Sequence, residues 1–154
     1  MLHLIELAKQ VRDSTIRLLE MAPAEVLHWA PQGTSNHVMW HAGHALWVQD
    51  CLCVEPLSGV SDLPTGWSDK FGMDCRPVSE TRDWPERSEL LRHLHAQLDR
   101  ILTLFDEHSE RLAKIGPNQD GDWDLTRGVI HGLHDEARHQ GEMHLLMKLS
   151  RTSN

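Results

Sequence analysis

With 154 residues, 40% of them hydrophobic, the chain is the size of one domain and can fold without disulfides or a structural metal, so a metal held here would serve function rather than the fold. A formal net charge of −8, with acidic and basic residues interspersed, argues against nucleic acid or an anionic membrane as partner. No apolar run of about 18 residues and no signal-peptide start is present, so the sequence predicts one soluble cytoplasmic domain over residues 1–154.

The predicted elements, taken in chain order, are helices. Leu4, Leu7, Ala8, Val11, Leu18 and Leu19 recur at helical spacing and predict a first helix from Leu2 to Met21, stopped near Pro23. A second follows the turn at Gly33-Thr34, with Ser35 or Asn36 as N-cap, and runs to about Cys53. Pro56, Gly59, Pro64, Gly66, Gly72 and Pro77 mark residues 54–79 as a long crossover, with a short helical turn near Trp67 to Met73. Trp67, Phe71 and Met73 there suit a lid, a dimer contact or loop packing alike.

In the third helix Pro85 suits the first turn, and Leu91, Leu94, Leu98, Ile101, Phe105, His108 and Leu112 form a bundle seam ended by Gly116-Pro117. The fourth runs from Thr126 to Leu149 with Asp124 or Thr126 as cap. Four long helices without an alternating apolar run give an all-α four-helix bundle with a long crossover between helices two and three. Cys51, Cys53 and Cys75 fit neither a disulfide framework nor a four-cysteine zinc site and read as buried reduced thiols.

Twelve histidines are the unusual feature of the composition. His37, His41 and His44 share one face of helix two, and that face turns apolar at Val48, so His44 enters the core. On helix four, Gly132, Asp135, His139, Met143 and Leu146 follow the same polar-then-apolar pattern. Ile130, Leu133, Ala137, Gly141 and Leu145 form a second stripe that suits a helix or subunit contact. Asp135 and His139 are i and i+4, stand about 6 Å apart on one face, and can share a metal with His44. The rival pair, His134 with His139, is i and i+5 and needs a π-bulge. Glu136-Ala137-Arg138-His139 matches one Glu-x-x-His element of di-iron bundles, but helix two offers no carboxylate to complete such a site.

Trp40-His41-Ala42-Gly43-His44, followed by Trp47 and Asp50, and His134-Asp135-Glu136-Ala137-Arg138-His139-Gln140-Gly141 resemble the DinB-like (DinB/YfiT) superfamily of four-helix bundles. The likeness covers nearly the whole chain. It implies an up-up-down-down bundle, a frequent homodimer, and a nickel or zinc ion held by one helix-two histidine and a His-x-x-x-His pair on the last helix. The helix-two ligand maps to His44 and the last histidine to His139. Asp135 stands where the family has the first histidine of the pair, and an oxygen donor there also admits iron or manganese.

The expectation is one divalent metal on His44, Asp135 and His139, used by a transferase or hydrolase to activate a low-molecular-weight thiol or water. His41 or His134 is the orienter or general base, with Glu142 a further candidate, and substrate approaches from the end roofed by the crossover. The alternative is a non-catalytic dimeric bundle whose histidine site is structural, pH-responsive or vacant.

Overall fold

The computed structural model describes residues 2–77, 83–113 and 124–151. Among these described residues seven α-helices follow in order: α1 Leu2–Met21, α2 Val38–Gln49, α3 Glu55–Ser58, α4 Trp67–Phe71, α5 Arg87–Glu107, α6 Ser109–Leu112 and α7 Leu125–Ser150. No strand occurs among the described residues. The bundle consists of α1, α2, α5 and α7, and no described helix is long and apolar enough to cross a membrane.

Both boundaries of α2 differ from the sequence expectation for identifiable reasons. The N-cap of α2 is His37 rather than Ser35 or Asn36. Its backbone is extended, and its imidazole Nδ1 accepts the Trp40 N–H at 3.1 Å. At the other end, the helical path does not stop at Cys53 but passes through a π-turn at Asp50–Val54 into α3, ending at Gly59 with φ 84°. Pro56 has no N–H to return to the Leu52 carbonyl, and the wider turn before it absorbs that loss. Gly128 of α7 faces the same carbonyl, where an added Cβ would lie 3.4 Å from it, so the last helix packs closely there.

In α5 the inward residues are Leu90, Leu94, Gln97, Ile101, Leu104 and Phe105, with Leu91 and Leu98 only half-buried. The helix stops at Glu107, and α6 carries Leu112 back to the core. Gly116-Pro117 lies outside the described residues. Asp124 caps α7 by accepting the Arg127 N–H at 2.8 Å, as its position before the helical pattern predicts.

The core is two apolar clusters with a polar layer between them. One contains Leu19, Met39, Leu90 and Met143; the other contains Ala8, Cys53, Ile101 and Val129. From the second cluster to the first, residue numbers rise in α1 and α7 and fall in α2 and α5. The order is therefore up-down-down-up, not the up-up-down-down order that the family resemblance implies. The chain reverses between α1 and α2, and the long crossover then returns it along the bundle so that α5 runs parallel to α2.

In the middle layer Arg12, 2% exposed, makes a two-pronged contact with Glu136, 1% exposed: Nε to Oε1 at 3.0 Å and Nη2 to Oε2 at 3.0 Å. Thr15 and Gln49 donate to the same carboxylate at 2.7 and 3.2 Å, while Gln97 accepts from Arg12 at 2.9 Å and donates to the Leu46 carbonyl at 2.9 Å. All four bundle helices thus meet on one buried ion pair, which fixes their relative height.

Candidate metal centre

α2 and α7 are antiparallel neighbours, and the layer just above the Arg12–Glu136 pair brings His44, Asp135 and His139 together. One ligand atom from each lies within 4.8 Å of the others. His44 Nε2 is 3.7 Å, and His139 Nε2 3.3 Å, from Asp135 Oδ2. The i, i+4 spacing on α7 and the inward face of α2 produce the juxtaposition that sequence periodicity anticipates.

Hydrogen bonds behind the imidazoles determine which nitrogens face the centre. His44 Nδ1 donates to the Phe71 carbonyl at 2.6 Å, so Nε2 presents a lone pair toward Asp135. His139 Nδ1 lies 2.7 Å from His41 Nδ1, which places one proton between them. Burial, together with the neighbouring His139, His44 and His37, pushes the His41 pKa down to about 3. A neutral His41 that accepts from His139 Nδ1–H leaves His139 Nε2 as a second inward lone pair.

Burial also lowers the His44 pKa, partly opposed by the Phe71 carbonyl and Asp135. Burial pushes the Asp135 carboxyl up, but His139, His44 and Arg138 together outweigh it and hold it below its ordinary value. The carboxylate is thus charged at neutral pH, yet its Oδ2 is buried and has no hydrogen-bond partner. Two imidazole nitrogens and a carboxylate oxygen converging on one point repel one another unless positive charge lies between them, either a proton carried by one of the rings or a bound metal ion. Two nitrogens and one oxygen suit a divalent transition metal and leave further coordination positions free.

Aromatic residues close the inner side. Trp40 stacks on His44 with ring centroids 4.5 Å apart, and Trp47 lies 5.3 Å from the same ring. A cleft of about 560 Å³ opens on the other side, against His41, His139, Arg138, Glu142 and the turn at Thr34–Asn36. This cleft lies beside the α1–α2 connection, while the crossover is packed against α2 through α4.

Of the remaining candidates, Glu142 is exposed on the cleft wall, whereas His134 is exposed and lies outside the three-residue cluster. Glu136, one residue from Asp135, points the other way and is fully engaged by Arg12, Thr15 and Gln49, so it is no di-iron ligand. In the second stripe of α7, Leu133 is buried in the core while Ile130, Ala137, Gly141 and Leu145 are exposed.

Sequence reasoning missed the supports of the site. The Phe71 carbonyl leaves no residue signature, but Gly43 does: a glycine in a helix interior costs about 1 kcal/mol relative to Ala and needs a reason. Here a Cβ would collide with the Phe71 ring. Arg12 likewise interrupts the apolar stripe of α1, and a buried cation needs a carboxylate such as Glu136.

The DinB superfamily is the family whose sequence model matches this chain, over residues 7–143, a span that includes His44, Asp135 and His139. Comparison with curated proteins gives no match.

Proposed function

The chain belongs to the DinB superfamily, and from that membership and the geometry of the cluster we propose that it binds one divalent metal and uses it in a transferase or hydrolase reaction. The observation that carries this reading is the convergence of the buried Asp135 Oδ2 atom, which makes no well-aligned hydrogen bond, with the Nε2 atoms of His44 and His139. Those three residues hold the ion, with zinc or nickel favoured by the imidazoles, and iron or manganese admitted by the carboxylate. The bound ion would supply Lewis acidity, lowering the pKa of a water or a low-molecular-weight thiol at the free position.

The protein residues divide the remaining work. His41 orients His139 through the Nδ1–Nδ1 hydrogen bond and stays neutral. Trp40 and Trp47 cover the His44 ring, and the reacting group would approach from the cleft that borders His139. Glu142 lines that approach and is placed to take the proton released by the nucleophile; His134, outside the cluster, is not.

Elemental analysis of protein purified without chelator or affinity tag should give one metal per chain, lost in His44→Ala and His139→Ala. Thiol-dependent turnover should disappear with it. No uptake from zinc, nickel, iron or manganese salts, or full activity in His139→Ala, would sink the proposal.

A non-catalytic dimer is the second reading, favoured by the exposed Ile130 and Leu145 flanking Ala137 and Gly141 on α7. Light scattering with and without chelator separates the two. A dimer indifferent to chelator, from protein that never takes up metal, would support the second.

A further inference from the structure

The crossover reaches the metal centre through α4, at three contacts that fall on two adjacent residues of α2. The Phe71 ring, fully buried, occupies the space that a side chain at Gly43 would need. The Trp67 indole Nε1–H donates to the Gly43 carbonyl at 3.1 Å. The Phe71 carbonyl accepts from His44 Nδ1–H at 2.6 Å. Trp67 also packs edge-on against His93, so α4 is held in the groove between α2 and α5.

A neutral imidazole carries its proton on either nitrogen, and only the Nδ1–H form offers Nε2 to a metal in this orientation. With α4 docked, the Phe71 carbonyl selects that form and fixes the ring plane. With α4 displaced, the proton is free to move to Nε2, where it faces Asp135 and blocks coordination. We infer that Gly43, Trp67 and Phe71 are positioning residues for His44, and that docking of the crossover and metal binding at His44, Asp135 and His139 are thermodynamically linked.

The linkage rests on the metal-binding reading above and adds a regulated element to it. Linkage is reciprocal: a docked α4 raises metal affinity, and a bound metal holds α4 in place by the same free energy. Hydrogen-bond partners behind a ligating histidine are commonly worth ten- to hundredfold in metal affinity.

The test begins in metal-free protein, where the metal-binding reading plays no part. Long-range ¹⁵N–¹H correlations of the imidazoles should show His44 with its proton on Nδ1 in the wild type and on both nitrogens in Gly43→Ala. Zinc titrated against a competing chelator should then bind Gly43→Ala ten- to hundredfold more weakly. Trp67→Phe, which keeps an aromatic ring but loses the donor to Gly43, should be weakened in the same direction. Leu104→Ala, in the far apolar cluster, should lower the unfolding temperature and leave both readouts unchanged. In the wild type, zinc should slow hydrogen exchange across residues 67–72.

A single Nδ1–H tautomer in all variants, or zinc affinities within twofold of wild type, overturns the inference. If Gly43→Ala does not fold, Trp67→Phe decides by the same two readouts. A wild type that takes up no metal overturns the metal-binding reading and the linkage together, while the tautomer measurement still decides whether α4 positions His44.

Discussion

Replacing Glu136 by Ala probes the buried layer that holds the four helices in register. The substitution removes both prongs of the Arg12 contact and the bonds from Thr15 and Gln49, leaving the Arg12 guanidinium buried with Gln97 as its remaining hydrogen-bond partner. One of its nitrogens, Nη1, already has none. Breaking a buried pair in this way costs about 3–5 kcal/mol, against a total stability of about 5–15 kcal/mol for an ordinary domain. With a urea dependence of about 2 kcal/mol per molar, the unfolding midpoint should fall by roughly 2 M, read by circular dichroism. Replacing both partners, Arg12→Met with Glu136→Met, removes the uncompensated charge, so the double variant should be more stable than the sum of the single losses predicts by about 2 kcal/mol. A loss below about 1 kcal/mol in Glu136→Ala, or strict additivity in the cycle, would refute the claim that this pair fixes the register.

Two further outcomes follow from the buried titratable groups. His37 and His41 are pushed down to about 4 and about 3 on folding, mainly by burial, so below their ordinary value of 6.5 the unfolded chain binds protons that the native state refuses. Stability of chelator-treated protein should therefore be level above pH 6.5 and fall as the pH drops toward 4, by roughly 1.4 kcal/mol per pH unit for each group. His37→Asn keeps a capping acceptor and should make the slope shallower; a flat unfolding temperature from pH 6.5 to 5 would contradict this. Burial pushes the Cys53 thiol up to about 12, opposed by Arg12. At pH 8 a thiol reagent should leave the Cys53 peptide unlabelled until the protein unfolds, and rapid native labelling would show that the site opens.

Much of this molecule is legible in the order of its residues. Period-3.6 apolar patterning located the bundle helices, because a helix that packs on three others must bury one face at that spacing. The i, i+4 relation of Asp135 and His139, and the polar-to-apolar switch along α2, were enough to nominate the three residues that now lie within 4.8 Å of one another. Local rules failed where a distant segment competed. His37 took the capping role from Ser35 and Asn36 because its ring can reach the Trp40 N–H, where it packs 4.8 Å from Trp84. The seam of α5 rotated to Leu90, Gln97 and Leu104 because Gln97 is drawn to Arg12 and the Leu46 carbonyl.

What the sequence alone determined is which side chains share a helix face, since that depends on spacing along one helix. Which faces meet, and from what direction, only the tertiary structure decided. The up-down-down-up order sets Asp135 and His139 opposite His44, the α1–α2 turn borders the cleft beside His139, and α4 packs against α2. The Phe71 carbonyl makes the point most directly: every residue carries the same backbone oxygen, and only the docking of the crossover places this one 2.6 Å from His44.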